Sequence, residues 1–304
     1  MRPRVRAEVP GSSSVRIAVV TMGKAGAEEL NYISDVDVIH IAEPAEGVDH
    51  EEAMRVGARV VAAMARICSA HTSEGTIWPV DAALRPEGNA GPLVRSLASC
   101  ATYYGKWAKN WEFQALLKAR PAAGDRELGQ AFCDMVSPLV WEAAQRPGFL
   151  PDVRAMRNRV ISLIPAKEAD REIKLGVGGL RDTEFTVQLL QLVHGRGDER
   201  VRARGTFEAL RALVAFGYIG RDDGADMARA YRVQRVLEHR VQLRRLRRTH
   251  LVPDDEPGWV HLARTTGRTP DEVRDMWRGS TRAVEKLQQR FVFSPLLDAV
   301  SAIP

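Results

Sequence analysis

The spacing of the apolar residues changes once along this chain of 304 residues, near residue 122. Before that point β-branched apolar runs alternate with helical spacing. The predicted strands cover residues 15–21, 36–42 and 76–84, a turn at residues 23–26 leads into a short helix at 27–30, and a longer helix covers residues 50–70. After residue 122 the spacing is helical, and the predicted helices include residues 183–194, 206–216 and 225–248. The sequence therefore predicts an α/β or α+β domain over residues 1–122, followed by an all-α domain over residues 123–304.

The start of the last helix is the best-defined boundary in the sequence. Thr269 suits the N-cap, Pro270 suits the first helical position, and Glu272 suits the closing position of a capping box. We therefore expect a helix to begin at Pro270.

Charge and cysteine content exclude several classes of protein. The formal net charge is only +5, which does not indicate a nucleic-acid-binding protein. The three cysteines form no C-x-x-C pair, which argues against a disulfide framework and a zinc ribbon and fits a reducing cytoplasm. No apolar run approaches the roughly 18 residues of a membrane span. We expect a cytoplasmic protein with neither a nucleic acid nor a membrane as partner.

Arginines are concentrated on the predicted helix over residues 225–248. They are Arg229, Arg232, Arg235, Arg240, Arg244, Arg245, Arg247 and Arg248. A charge run of this kind is typical of a solvated helix face, and contact with an acidic partner is the alternative.

Two aspartates lie two residues apart at the start of the second predicted strand. Asp35 and Asp37 would therefore face the same side of the sheet, about 7 Å apart, while Val36 and Val38 face the core. Two carboxylates on one face can hold Mg²⁺ between them and a substrate phosphate. Alone, the pair is more typical of a surface turn or a helix cap than of a metal site.

A glycine turn and a third acid accompany this pair. Gly23, in the turn after the first strand, would let backbone N–H groups approach a phosphate closely. Asp81 alternates with Val80 on the third predicted strand, so it would join the same face if the two strands are neighbours. A glycine turn, an Asp-x-Asp pair and a later Asp together resemble the pattern of the nucleotidyltransferase superfamily. That resemblance implies an α+β fold: a nucleotidyltransferase palm, which is a mixed sheet with flanking helices, followed by an all-α helical bundle domain.

Longer blocks carry a more specific resemblance to the glutamine synthetase adenylyltransferase/adenylyl-removing enzymes. The four blocks, in order, are residues 22–39, 80–94, 111–120 and 173–185. Members of that family carry two homologous nucleotidyltransferase halves, whereas this chain has one Asp-x-Asp pair and one Leu-Arg-Pro block. The segment at residues 22–24, the block at 111–120 and the closing residues 293–300 resemble the N-terminal, adenylyl-removing half.

The resemblance implies a reaction and its partners. The expected activity is phosphorolytic removal of AMP from an adenylyl-tyrosine of glutamine synthetase, giving ADP, with Mg²⁺ or Mn²⁺ as cofactor. The alternatives are adenylylation of the synthetase by ATP and a non-catalytic fragment that binds the synthetase or a PII-type signal protein. Family members have a helical segment before the first strand, and this chain starts almost on that strand. We therefore expect that some of the helices that cover the core in the family are missing here. This expectation favours the alternative of a non-catalytic binding fragment.

The resemblance also assigns roles to individual residues. The metal ligands would be Asp35, Asp37 and Asp81, the last either as a ligand or as the base that orients the nucleophile. The nucleotide and phosphate contacts would be Gly23, Lys24, Ser34, Arg85, Lys118 and Arg120.

Several of these roles have a structural alternative. Lys24 is equally suited to solvent, and Arg85 to a salt bridge with Glu87 or another neighbour. On a strand, Lys118 and Arg120 would face the same side, and on a helix they would diverge, so we expect one of the two to be functional. The block at residues 178–184 is expected to form a loop, with Asp182 as a helix N-cap.

Overall fold

The computed structural model describes residues 8–293, and the fold is α+β, as predicted. The chain forms two compact units. The first comprises the residues up to Leu30 together with Ser34–Val140, and the second comprises Asn31–Ile33 together with the residues from Trp141 onward. Most of the closing block at 293–300 lies outside the described residues.

The first unit is built on a four-stranded mixed sheet in the order β3-β2-β1-β4. The strands are β1 (Val15–Thr21), β2 (Val36–Pro44), β3 (Val80–Asp81) and β4 (Arg120–Gly124). β1 pairs antiparallel with β2 and with β4, whereas β2 pairs parallel with β3. The first two predicted strands are therefore confirmed.

The other two strands differ from expectation. β3 has two residues instead of the predicted nine (76–84), because Pro79 offers no N–H and a turn follows Asp81, whose carboxylate accepts the Ala83 N–H at 2.8 Å. β4 was not predicted as a strand, since its sequence Arg-Pro-Ala-Ala-Gly is typical of a loop. Proline is tolerated there because β4 is an edge strand.

Five helices are described in or entering the first unit. They are α1 (Gly23–Gly26), α2 (His50–Ser69), α3 (Leu97–Lys106), α4 (Asn110–Leu116) and α5 (Arg126–Glu142), the last of which crosses into the second unit. α2, predicted over 50–70, is capped by Asp49, whose carboxylate accepts the Glu52 N–H at 3.0 Å. Its residues Val56 and Val61 join Val15 in a buried apolar cluster against the sheet. This packing fixes β1 and β2, which carry the candidate site.

The second unit is helical. Its helices are α6 (Phe149–Ser162), α7 (Leu180–His194), α8 (Thr206–Ala215), α9 (Arg221–Arg245), α10 (Glu256–Thr266) and α11 (Pro270–Val292). Their core includes Tyr231, Leu262 and Trp277. The predicted capping box at α11 is confirmed, since the Thr269 N–H donates to Glu272 at 2.8 Å and the Glu272 N–H donates to Thr269 Oγ1 at 3.3 Å. None of the helices in the described part of the chain is both long and apolar enough to cross a membrane.

Two local predictions in this unit are wrong. α9 ends at Arg245 because Leu246 adopts a left-handed conformation (φ 49°), so Arg247 and Arg248 lie beyond the helix. The N-cap of α7 is Gly179, whereas Asp182 is fully buried within the first turn. Its carboxylate accepts the Gly178 N–H at 2.8 Å and pairs with Arg157.

Candidate metal centre

Parallel pairing of β2 with β3 brings the three acidic side chains of the first unit together. Asp37 lies directly opposite Asp81 in the register, and Asp35 immediately precedes β2. Carboxylate oxygens of Asp35, Asp37 and Asp81 all lie within 4.8 Å of one another, and all three residues are half-buried. The strand register thus produces the cluster on one face of the sheet.

This donor set suits a hard divalent cation. Three like charges at such short separation repel one another, and the repulsion is stronger in a half-buried setting than in bulk water. Mg²⁺ and Mn²⁺ prefer carboxylate oxygens as ligands. The Asp81 carboxylate is further oriented by the Ala83 N–H at 2.8 Å. The three residues therefore fit the metal that the sequence predicts for them, although the geometry does not distinguish Mg²⁺ from Mn²⁺.

The glycine turn lies directly against this cluster. The Met22 N–H donates to the Asp37 carbonyl oxygen at 2.9 Å, which holds the start of α1 beside β2. Gly23 has a left-handed backbone (φ 52°), and a Cβ at this position would lie 2.5 Å from Asp37 Oδ2. Only glycine leaves that carboxylate in place, so the sequence Met-Gly-Lys after β1 has a structural reason here.

Arg120 and Lys118 contact the residues that follow Gly23 in the turn. Arg120 donates from Nε to the Gly26 carbonyl at 3.1 Å and from Nη2 to the Ala25 carbonyl at 2.9 Å. Lys118 Nζ is 3.6 Å from the Glu29 carboxylate, and its side chain is almost fully buried. Lys118 lies in the turn between α4 and β4, and Arg120 begins β4, so neither arrangement considered from the sequence, both on a strand or both on a helix, is found. Any contact they make with a nucleotide stays a prediction.

Arg85 binds the loop that follows Asp81. Its guanidinium donates to the Ala82 carbonyl at 2.8 Å and to the Gly91 carbonyl at 3.1 Å. Glu87, the acid considered as its salt-bridge partner, pairs with Arg95 instead. Arg85 therefore stabilises the backbone immediately after the third acid.

Lys24 and Ser34 are half-buried neighbours of the cluster along the chain. Lys24 lies in α1 directly after Gly23, and Ser34 directly precedes Asp35. Their position fits the predicted phosphate contacts, which stay predictions.

Sequence reasoning missed the salt bridges that support this site. The pairs Lys118–Glu29 and Arg95–Glu87 join residues whose relation depends on the folded turn and loop. It also missed the state of His40 on β2, which is 2% exposed. Burial, together with the positive charge of Arg85, lowers the pKa of His40 to about 4. His40 is therefore neutral at neutral pH, and no local sequence signal indicates this.

Comparison with known proteins gives a consistent result for both units. A family model described as glutamate-ammonia ligase adenylyltransferase matches residues 5–135, and one described as GlnD PII-uridylyltransferase matches residues 154–292. Similar curated proteins share one name, bifunctional glutamine synthetase adenylyltransferase/adenylyl-removing enzyme.

Three relatives illustrate the extent of the similarity. The protein of Cutibacterium acnes is 59% identical over 98% of this chain and 31% of its own length. The protein of Streptomyces avermitilis is 53% identical over 98% of this chain and 30% of its own length. The protein of Mycolicibacterium smegmatis is 50% identical over 96% of this chain and 30% of its own length. The chain spans about a third of the length of the curated relatives that it matches. It is therefore homologous to the N-terminal region of the bifunctional glutamine synthetase adenylyltransferase/adenylyl-removing enzymes, and the family resemblance identified in its sequence is confirmed.

Proposed function

We propose that this chain carries the reaction centre of a metal-dependent nucleotidyltransferase that acts on glutamine synthetase. The reaction is phosphorolytic removal of AMP from an adenylyl-tyrosine of that enzyme. The observation that carries the proposal is the group of three carboxylates within 4.8 Å of one another, packed against a glycine turn that has no room for a side chain. The shared name of the relatives supports the substrate.

The proposed reaction exchanges one phosphorus–oxygen bond for another. An oxygen of inorganic phosphate attacks the adenylyl phosphorus, and the new bond makes ADP. The bond to the tyrosine oxygen breaks, its electron pair leaves with the phenolate, and the phenolate takes up a proton. Asp35, Asp37 and Asp81 would hold Mg²⁺, which when bound supplies neutralisation of the charge on the phosphate oxygens.

Other residues of the chain would position the phosphates. The backbone N–H groups of the turn at Gly23 and Lys24 are the proposed donors, because Gly23 lets the backbone approach closely. Arg120 and Lys118 hold that turn in place through Gly26 and Glu29. Arg85 holds the loop after Asp81. Ser34 lies next to the first metal-ligating carboxylate.

The position of the match supports removal over attachment of AMP. The chain matches the N-terminal region of its relatives, and its sequence resembles the adenylyl-removing half. Adenylylation by ATP would use the same carboxylates, so only the consumed substrate separates the two directions. The match of residues 154–292 to a PII-uridylyltransferase model supports a PII-type signal protein as a further partner.

The test is an ADP-release assay with adenylylated glutamine synthetase, inorganic phosphate and Mg²⁺. The wild-type chain should release ADP, chelation of Mg²⁺ should stop the reaction, and Asp35→Asn should lower the rate at least about a hundredfold. Glu51→Gln is the matched control, because Glu51 is an exposed acid at the start of α2, and this variant should keep the wild-type rate.

Three outcomes would contradict the proposal. Undiminished ADP release by Asp35→Asn would exclude the carboxylate cluster as the reaction centre. Incorporation of label from ATP into unmodified synthetase, without ADP release from the adenylylated form, would reverse the direction. Binding of the synthetase with neither reaction would leave the chain as a non-catalytic module.

A further inference from the structure

The second unit contains a cavity lined by arginines, which the proposed reaction does not use. The cavity has a volume of about 280 Å³ and lies among the end of α9, the segment after it and the start of α10. We call it the arginine cavity, and its basic residues are Arg171, Arg244, Arg245 and Arg247. All of its lining residues belong to the second unit.

Hydrogen bonds between Arg171 and residues 252–254 fix the backbone on one side of the arginine cavity. Arg171 donates from Nε to the Val252 carbonyl at 2.9 Å and from Nη1 to the Asp254 carboxylate at 2.6 Å. The Val252 N–H returns a hydrogen bond to the Arg171 carbonyl at 2.9 Å. Asp255, the second acid of the cavity, is engaged as the N-cap of α10, where it accepts the Gly258 N–H at 3.0 Å. Both acids of the lining are therefore committed to protein donors.

The other three arginines of the cavity are not held by the protein through their side chains. Within residues 8–293, the side chains of Arg244, Arg245 and Arg247 make no hydrogen bond, ion pair or ring contact with the protein. Exposed arginines elsewhere in the described part of this unit, such as Arg211 and Arg282, also make no such contact, so the three are distinguished by the cavity that they share.

The local backbone brings these arginines to one cavity. The left-handed Leu246 ends α9 and turns the chain, so Arg247 lines the same cavity as Arg244 and Arg245. A Cβ at Gly258 would lie 2.4 Å from Asp255 Oδ1 and 2.8 Å from Arg244 Nη1, so glycine leaves room for both side chains. Three arginines that are close in sequence thus line one cavity, with Arg244 half-buried and Arg245 and Arg247 exposed.

We propose that the arginine cavity is a binding site for the phosphate group of a small molecule. Guanidinium groups offer paired N–H donors that match the geometry of phosphate oxygens. The four arginines and two aspartates of the lining leave a formal net charge of +2, which matches the two to three negative charges of a phosphate or diphosphate group better than the single charge of a carboxylate. The site lies in the second unit and needs no metal, so it is independent of the carboxylate cluster.

The test is calorimetric titration of the full chain with inorganic pyrophosphate in the presence of EDTA. Without a divalent cation the carboxylate cluster is not engaged, so the result is independent of the proposed reaction. The wild type should show one saturable site, and the double variant Arg244→Gln/Arg247→Gln should bind at least tenfold more weakly with an unchanged melting temperature.

The matched control removes the same amount of charge from other surfaces. Arg211 on α8 and Arg282 on α11 are exposed, so Arg211→Gln/Arg282→Gln should keep the wild-type affinity. Equal weakening in both double variants would reduce the effect to net charge and overturn the proposal. Unchanged affinity in Arg244→Gln/Arg247→Gln would also overturn it. Binding of the dicarboxylate succinate as tightly as pyrophosphate would exclude phosphate as the preferred class.

Discussion

The two units place their conspicuous acidic residues in different surroundings. In the first unit, oxygens of Asp35, Asp37 and Asp81 lie within 4.8 Å of one another, so negative charge is concentrated. In the second unit, the fully buried Asp182 is surrounded by donors: Arg157, the Gly178 N–H at 2.8 Å and Gln288 Nε2 at 2.5 Å.

The difference separates a structural acid from one suited to binding. Burial of a carboxylate costs several kcal/mol unless partners offset the lost hydration. Asp182 receives those partners from the protein, so its charge stabilises the fold. The clustered carboxylates of the first unit repel one another, and an added cation would relieve this. Both kinds of acid lie in blocks that carry the family resemblance, so only the surroundings distinguish them.

The largest expected effect is the loss of the Asp182 charge. Asp182→Asn leaves the Arg157 guanidinium, which is 3% exposed, buried without a counter-charge. Removal of one partner from a buried ion pair destabilises a fold by about 3–5 kcal/mol. Denaturant unfolding followed by circular dichroism measures this. The matched control Asp170→Asn, at an exposed acid in the same unit, should change stability by less than about 0.5 kcal/mol. Equal stability of the two variants would contradict the conclusion that Asp182 is a structural acid.

The next effect concerns Asp37 and has the opposite pattern. Asp37→Asn should lower the melting temperature much less than Asp182→Asn, because Asp37 is only half-buried and lies beside two like charges. The same variant should lose the rise in melting temperature that Mg²⁺ gives the wild type, and its ADP release should fall at least about a hundredfold. Thermal unfolding with and without Mg²⁺ separates the two effects. A fall in stability comparable to that of Asp182→Asn would place Asp37 among the structural acids.

A third effect depends on pH and concerns His40. The neutral form is held in the folded first unit with a pKa of about 4, whereas the unfolded chain titrates near 6.5. Between these values the unfolded state binds more protons, so stability falls as the pH falls. The loss from pH 7 to pH 5 should be about 2 kcal/mol.

The measurement for His40 is the free energy of unfolding at several pH values in this range. His40→Gln should flatten the pH dependence by that amount. The control His50→Gln, at an exposed residue that begins α2, should retain the wild-type slope. Parallel pH curves for His40→Gln and the wild type would show that the buried ring does not control acid stability.

Local patterns were sufficient for the elements whose causes are local. β1, β2, α2 and the start of α11 follow from side-chain spacing and from capping residues that interact within a few positions. The choice of Asp35, Asp37 and Asp81 as one group also came from the sequence. Their roles in catalysis stay a prediction.

The remaining features depend on partners far along the chain. The short β3 joins the sheet because Val36 and Asp37 pair with Val80 and Asp81. β4 is a strand only because β1 pairs with it, against the local preference of Pro121. Asp182 was predicted to be an N-cap from its local position alone. Its actual partner Gln288 lies 106 residues away, so the local pattern could not indicate that Asp182 is buried. A short stretch of sequence cannot indicate these contacts, because the two partners are far apart along the chain.

The smallest expected effect tests whether the glycine turn and the carboxylates act together. Gly23 and Gly47 both have a left-handed backbone, with φ of 52° and 73°. A Cβ at Gly23 would lie 2.5 Å from Asp37 Oδ2, whereas a Cβ at Gly47 would meet nothing within 4 Å. Each substitution by alanine should therefore cost about 1 kcal/mol of backbone strain. Only Gly23→Ala should also displace the Asp37 carboxylate.

The measurement is a Mg²⁺ titration of both variants, in which the melting temperature is recorded at each Mg²⁺ concentration. Gly23→Ala should bind Mg²⁺ at least about tenfold more weakly than Gly47→Ala, a difference of about 1.4 kcal/mol. Since the two variants share the same backbone strain, that difference isolates the contact with Asp37. Equal Mg²⁺ affinity would mean that the turn holds phosphates without constraining the metal ligands, and the two halves of the candidate site would then be independent.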